Sequence, residues 1–327
     1  LSSGGDALQL DLMSAEHESK KNFQPIIATS LGILFVSTAS IFIRFAQDEA
    51  SSMMIAAGRL LVASLVLFPW ALAKHRHQYH TLSSGDITKG ALSGLFLALH
   101  FTCWITSLEY TSVASSVVLV TTTPLWVAIF SPLVLKESIR KSVIIGLIIS
   151  ITGGVIVGLG NACEFIDGQL ICQEQIFSGV GMLGNLLALV GAWMAAGYMM
   201  MGRQLRKKLN TITYAAFVYG VAALLLVSAV LLRRESVFSY RGETYLWILA
   251  LGLIPQLLGH SLFNWSLKYI SAAYVSLTLL GEPIGTIILA LIFLKESPTL
   301  LEVVGAVLIL IGIVVGSFGR TRHASAA

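Results

Sequence analysis

Charge is what this chain has least of. Only 12% of its 327 residues are Asp, Glu, Lys or Arg, about half the share of a soluble globular domain, and that scarcity excludes a water-soluble fold. Also missing is the alternation of polar and apolar positions over about ten residues that marks a transmembrane barrel strand, so the membrane-crossing elements are helices. There is no GxxxxGK[ST] phosphate loop, which removes ATP as a directly bound energy source. HExxH and GxSxG are absent as well. The nearest approach, HESK at His17, lies in a polar tail, so an intramembrane enzyme has no recognisable nucleophile, base or metal ligands. No cofactor and no metal are expected. The N-terminal tail lacks the basic, apolar, small-residue order of a cleavable signal peptide.

What is present is apolar length. Hydrophobic residues make up 56% of the chain and the mean hydropathy is +0.82. Runs such as Ile144 to Gly160 and Leu300 to Gly319 have the ~20 residues that cross a hydrocarbon core as helix. Charge clusters and turn residues divide the chain into ten expected spans, at 25–46, 51–73, 87–108, 113–135, 142–161, 177–201, 212–232, 244–267, 272–294 and 299–318. Residues 1–24 are read as a disordered cytoplasmic tail, with Met13 as the true start, residues 162–176 as an external loop and 319–327 as a cytoplasmic tail. Connections are otherwise too short to hold a soluble catalytic domain.

The basic residues orient the spans. With the N-terminus inside, 15 of the 21 Lys and Arg lie on the cytoplasmic side, among them RQLRKK (Arg203 to Lys208) and RTR (Arg320 to Arg322), and four lie outside: Arg233, Arg234, Arg241 and Lys295. Positive residues favour the cytoplasmic face, so both termini are placed there, in a multi-pass protein of the bacterial inner (plasma) membrane. The net charge of +4 is then a record of topology and calls for no nucleic-acid partner. Cys163 and Cys172 share the outer loop, where an oxidising compartment permits a disulfide; two free thiols are the alternative. Cys103 reads as a packing residue.

The string LKES occurs twice, at Leu135 to Ser138 and Leu294 to Ser297, an offset of 159 residues. At the same offset LEYTSVA (Leu108 to Ala114) meets LKYISAA (Leu267 to Ala273), Pro124 meets Pro283, Gly146 meets Gly305 and Gly153 meets Gly312, with no gap from Leu108 to Val155. Each half therefore holds five spans. An odd number inserts the second copy upside down, the inverted duplication that recurs in secondary transporters. A duplicated helical scaffold without a transport role is the plainer alternative.

These residues resemble the EamA-type members of the drug/metabolite transporter superfamily. Trp104 to Glu137 looks like the core of the family's first domain, Asn264 to Glu296 like that of its second, and Gly184 to Arg206 is similar to its sixth helix and basic exit. The likeness runs from about residue 25 to 318. It implies an all-α integral membrane fold of ten transmembrane helices, as two inverted five-helix repeats at 25–161 and 177–318, and a carrier of small molecules. A Gly commonly precedes the Glu that ends the fourth and ninth helices; here Lys136 and Lys295 stand in that place.

Polar residues inside spans are costly, about 2.5–3.5 kcal/mol for an ionised side chain at mid-helix, and mark functional sites or paired structural ones. Arg44 lies near the outer end of the first span, where it can snorkel to the interface. Arg59 lies deeper, in AAGRLLVAS, with two readings: a cavity group for a substrate anion, or half of a fixed salt bridge. Glu282 is the one acid near the middle of a span and precedes Pro283, which breaks helix hydrogen bonding. It is the candidate for proton coupling or for pairing with Arg59, a structural kink being the alternative. Its counterpart is Thr123-Pro124, preceded by Thr121 and Thr122, hydroxyls that either hydrate a cavity or satisfy the freed carbonyl.

His100 and Trp104 share a face of the third span, and His260 and Asn264 repeat that spacing in the eighth. A histidine there either binds substrate or packs helices. Trp193 and Tyr198 are further wall candidates, while Trp70 and Trp247 suit the interface. The fifth and tenth spans are nearly free of polar residues and rich in Gly, which allows close contact; they are placed at the periphery, packing or forming a homodimer.

The function expected is secondary-active transport of a small organic metabolite by alternating access, as an exporter or exchanger, with the bilayer and a small-molecule substrate as partners. A flippase for a lipid or lipid-linked headgroup, using Arg44 and Arg59, is the alternative; an intramembrane enzyme and a channel fit less well.

Overall fold

A computed structural model describes residues 24–111, 116, 119–166, 169–172, 179–289, 291–292 and 300–317. Its helices are α1 (Gln24–Ala46), α2 (Ser52–His80), α3 (Ser84–Tyr110), α4 (Thr123–Val134), α5 (Lys141–Ala162), α6 (Gly179–Leu205), α7 (Thr211–Leu232), α8 (Gly242–Ser266), α9 (Ala272–Leu279), α10 (Glu282–Leu289) and α11 (Leu300–Ser317). Six of them, α1, α2, α3, α6, α7 and α8, are long and apolar enough to cross a membrane.

Side-chain caps set several helix starts. The Ser51 hydroxyl accepts from Met54 N at the head of α2, and Asn210 Oδ1 accepts from Thr213 N at the head of α7. Ser83 and Asp86 form a reciprocal capping box at α3. Such a cap contributes about 1 kcal/mol, and it places the heads of α2 and α7 at equivalent positions of the two repeats.

Four local departures from the sequence expectation have physical reasons. The second span, expected to end at 73, stays helical through KHRHQYH to His80, with its geometry broken at His75. The ninth span is interrupted by a turn at Leu280-Gly281 and resumes as α10. Pro124 and Pro283 occupy the first turns of α4 and α10, where a missing N–H leaves no bond unmade. Within α8, Gly252–His260 is a π-helix around Pro255, a widening of the kind found at functional sites.

The fourth departure is a hairpin inside 162–176. Strands β1 (Cys163–Ile166) and β2 (Gln169–Cys172) pair antiparallel, with Cys163 opposite Cys172. Reading by charge and hydropathy alone passed over the Asp-Gly dipeptide in the sequence between them, a sequence signal for a hairpin. The side chains of both cysteines lie outside the described residues, as do residues 1–23, the whole of the second LKES copy and the C-terminal tail.

Helices α5 and α11 pack face to face. A Cβ on Gly146 would lie 2.4 Å from Gly312 O, and one on Gly153 would lie 2.6 Å from Gly305 O. Between these contacts Ser150 Oγ donates to Ile309 O at 3.2 Å, across the repeat offset itself. Partners advance along one helix as they recede along the other, so the pair is antiparallel, and each contact repeats with the halves exchanged. The glycine faces of these two helices are thus filled within one chain; a homodimer through them would use their outward faces. The equivalent helices α2 and α7 also meet, α4 packs against α9, the helix that precedes its own equivalent α10, and α3 runs along α6.

Lys136, directly after α4, has φ of 55°. That left-handed conformation ends helices and suits glycine, which explains why the family pattern favours Gly at this place.

Candidate functional site

Both repeats contribute to one cavity at the centre of the helices, enclosing about 770 Å³ of empty space including its open mouth. Its walls come from α1 (Val36, Ala39), α2 (Arg59), α3 (His100, Trp104), the turn into α4 (Thr121, Thr123, Pro124), α6 (Ala195, Tyr198, Met199), α8 (His260, Phe263, Asn264) and the α9–α10 break (Leu279, Glu282).

Arg59 is fully buried and its Nε, Nη1 and Nη2 have no hydrogen-bond partner among the described residues. Its guanidinium carbon sits 3.9 Å from the centre of the Phe101 ring. An unpaired ion taken from water costs several kcal/mol, and a desolvated cation–π contact returns about 2, so Arg59 is left in deficit. Glu282 also lines the cavity and interacts electrostatically with Arg59, yet the two make no ion pair within 4.0 Å.

The place of Glu282 is set by its backbone. Ser37 Oγ donates to Glu282 O at 3.1 Å, and Thr286 Oγ1 donates to Ser37 O at 3.3 Å. Gly285 lets α1 come this near, since a Cβ there would lie 2.1 Å from Ser37 Oγ. The helix break thus presents the carboxyl while α1 holds the main chain behind it.

Around the charges stand aromatic and polar groups. His100 Nδ1 is 2.9 Å from Gly191 O; a carbonyl only accepts, so Nδ1 carries the proton and ties α3 to α6. The His100 ring stacks on Trp104 at 5.9 Å, and Trp104 Nε1 has no hydrogen-bond partner among the described residues. His260 meets Phe101 edge-on at 5.4 Å. Tyr198 OH donates to Asn264 Oδ1 at 2.7 Å, and Asn264 Nδ2 donates to Tyr219 OH at 3.1 Å, a chain joining α6, α8 and α7.

Of the sequence candidates, Arg59, His100, Trp104, Thr121, Tyr198, His260, Asn264 and Glu282 line this cavity, with Pro124 beside them. Two candidates lie elsewhere. Thr122 turns its hydroxyl to Leu119 O at 2.6 Å, receives Trp126 Nε1 at 3.2 Å and borders a smaller void beside Gly154. Trp193 is 41% exposed and packs edge-on against Trp126 at 5.1 Å; five residues from Tyr198 on α6, it points to a different face. Thr123, the third of the hydroxyls weighed beside Pro124, also lines the cavity, and its hydroxyl donates to Val120 O at 2.8 Å. Sequence reasoning missed Phe101 under Arg59, although that ring adjoins His100 in the sequence, and Tyr219 in the apolar helix α7.

A model of the EamA-like transporter family matches residues 24–159 and again 182–318. The chain belongs to the EamA-like transporter family. Among its relatives, an uncharacterized transporter of Clostridium kluyveri is 26% identical over 83% of this chain and 84% of its own length. The uncharacterized transporter YdfC of Bacillus subtilis is 27% identical over 90% and 91% respectively. A solved crystal structure shares the fold, with a TM-score of 0.70 over 89% of this chain and 96% of that one at 20% identity. This EamA-like protein is therefore an integral membrane protein of transporter type, its domain present twice, and the cavity described above lies where the two copies meet.

Proposed function

We propose that this EamA-like transporter is a secondary-active carrier that exports or exchanges a small organic metabolite by alternating access. In this reading ten helices cross the bacterial inner membrane as two inverted five-helix repeats, with both termini cytoplasmic. The antiparallel pairing of α5 and α11 and the clustering of basic residues support that arrangement.

The observation that carries the proposal is the composition of the cavity. Arg59, His100 and Trp104 come from one repeat, and Tyr198, His260, Asn264 and Glu282 from the other. A site shared by two inverted halves opens to either side when the halves rock against each other. Glu282 is the group proposed to couple transport to protons, facing Arg59, His100 and His260 across the cavity. The flippase reading asked Arg44 and Arg59 to share one headgroup, but Arg44 is exposed near the end of α1 and outside the cavity wall.

The test is reconstitution. Metabolites that raise the melting temperature of purified protein are loaded into proteoliposomes, and saturable counterflow of the labelled compound is measured. Counterflow is expected with at least one of them, and Glu282→Gln is expected to flatten its pH profile. If no stabilising solute crosses, the carrier reading fails; an unchanged rate and pH profile in Glu282→Gln removes the coupling role.

A further inference from the structure

We infer that the far end of α2 is a docking site for an anionic phospholipid, whose headgroup phosphate rests on Lys74, Arg76, His77 and His80. This surface lies outside the cavity, and lipid binding to it is independent of the carrier reading.

Helix length sets the place of the site. From Ser52 to His80 α2 has 29 residues, or about 44 Å of helix, whereas a hydrocarbon core is only about 30 Å thick. Trp70 is 55% exposed and suits the interface, where indole rings collect. The stretch 74–80 then lies in the headgroup layer, on the cytoplasmic side in the orientation proposed above.

The duplication does not call for this stretch. Its equivalent helix, α7, ends at Leu232, the counterpart of Ala73. Beyond that point Arg233 pairs with Glu235 at 3.2 Å, and Ser236 and Ser239 stand where α2 has His77 and His80. Topology asks for basic residues at the cytoplasmic end of a span, but it does not ask for further helix. Here the helix breaks at His75 and then continues. Gln78 Oε1 accepts from Asn210 N at 2.9 Å, and Tyr79 OH donates to Thr213 O at 3.3 Å. These two bonds fix one face of the extension to the head of α7.

The remaining face is basic and unanswered. Lys74, Arg76, His77 and His80 are exposed, and none of them makes a hydrogen bond or ion pair among the described residues. The stretch contains no acid. The next acid along the chain, Asp86, is taken by Lys208 at 2.6 Å. Arg76 and His80 are four residues apart and so share a face, and a phosphate can accept from several such donors at once. The adjoining surface selects an amphiphile over a soluble anion. Leu65, Phe68 and Leu72 on the same helix are 64%, 46% and 44% exposed, within the layer that holds the acyl chains of a lipid whose headgroup sits on the basic turns.

The experiment uses purified full-length protein in a neutral detergent. Phosphatidylglycerol and phosphatidylcholine are titrated in parallel, bound lipid is counted by native mass spectrometry, and unfolding is followed by thermal shift. Phosphatidylglycerol is expected to be retained and to raise the melting temperature, as a ligand of the folded state does, and phosphatidylcholine to do neither. Lys74→Gln combined with Arg76→Gln is expected to weaken phosphatidylglycerol binding by about 30-fold. Arg233→Gln combined with Arg234→Gln, at the equivalent place in the other repeat, should leave it unchanged. Equal binding of the two lipids overturns the proposal, and so does a Lys74→Gln/Arg76→Gln protein that binds like the parent. Inorganic phosphate is the third probe: a shift as large as that given by the lipid would make this a site for a soluble anion and end the lipid reading. The comparison of the three probes needs only the unaltered protein, so a misfolded variant does not block the test.

Discussion

At one end of the molecule Gln47 Nε2 donates to Ile105 O at 3.1 Å and to Ser52 Oγ at 2.9 Å. At the other end Arg206 Nε donates to Asn264 O at 2.8 Å, and its Nη2 donates to Thr211 Oγ1 at 2.6 Å. These are the same two bonds, made by residues that the repeat offset makes equivalent. Glu49 and Lys208 are equivalent as well, and each forms an ion pair with the other half, to Arg241 and to Asp86. The symmetry fails at the next pair. Arg203 Nε donates to Glu137 Oε1 at 2.8 Å and Nη1 to Leu267 O at 2.6 Å, whereas its equivalent, Arg44, is exposed and makes no hydrogen bond or ion pair among the described residues.

Among the described residues the scaffold is thus symmetric at these bonds, and the Arg203–Glu137 pair is seen at one end; Glu296, the equivalent of Glu137, lies outside the described residues. The carrier proposed above would use a difference between its ends that reverses. The charged site is unequal in another way. The positions equivalent to Arg59 and Glu282 are Val218 and Thr123, so the cavity holds one charge from each repeat with no mirror copy of either.

The largest effect expected from breaking this arrangement is at Arg59. Arg59→Leu should lower transport by about 100-fold, since truncating a buried charged contact costs roughly 2–5 kcal/mol. It should also raise the melting temperature, because replacing buried ions by well-packed apolar groups is often stabilising by about 1–4 kcal/mol. Val218→Leu, the equivalent position, should leave transport near its original rate. Thermal unfolding in detergent and counterflow in liposomes check both halves of the prediction. A drop in melting temperature with Arg59→Leu would make the arginine a structural prop.

The latch gives the next effect. Arg203→Gln removes the Glu137 ion pair and the carbonyl bond to Leu267, and should destabilise the protein by about 2 kcal/mol. Arg44→Gln should stay within about 0.5 kcal/mol, as exposed substitutions do. Equal losses at the two positions would mean that both ends are latched for comparable times.

A pH test sharpens the comparison at the Glu49 end, outside the helices. The Arg241 backbone N–H, the Thr244 hydroxyl and the Arg241 guanidinium hold the Glu49 carboxyl down from its ordinary 4.5 to about 2. A depressed acid contributes stability that is fully present above its unfolded pKa and is lost as pH falls through the folded one. The Glu49→Gln protein should therefore melt lower than the parent above pH 4.5, and the two should converge as pH falls toward 2. Parallel melting curves across that window would show that the ion pair is spent on solvent.

Much of this was legible in the sequence, for reasons particular to each feature. Helix positions followed from the rarity of charge, because an ionised group inside a span is expensive enough to be informative wherever it occurs. That rule singled out Arg59 and Glu282, and the four-residue spacing on one helix face singled out His100 and Trp104; all four line the cavity. Trp193 and Thr122 lie outside the cavity lining because an indole, or a hydroxyl that bonds its own backbone, carries no such penalty, and the local backbone geometry alone decides which way each faces. The hairpin at Cys163–Ile166 and Gln169–Cys172 and the π-helix in α8 follow from local backbone chemistry that hydropathy does not record.

The smallest effect expected lies at Lys136. Its φ of 55° costs a non-glycine residue about 1–2 kcal/mol, and glycine in its place would widen the unfolded ensemble at a cost of about 0.4–1 kcal/mol. Lys136→Gly should therefore stabilise the protein by roughly 0.5–1 kcal/mol, the balance of those two effects. Because Lys136 precedes Glu137, the gain should persist in an Arg203→Gln background if it comes from backbone strain alone. A gain that vanishes there would mean that the turn and the latch are one cooperative unit, and that the strain at Lys136 is what aims Glu137 at Arg203. Melting curves of the two single variants and the double variant distinguish these outcomes, since independent changes add and coupled ones do not.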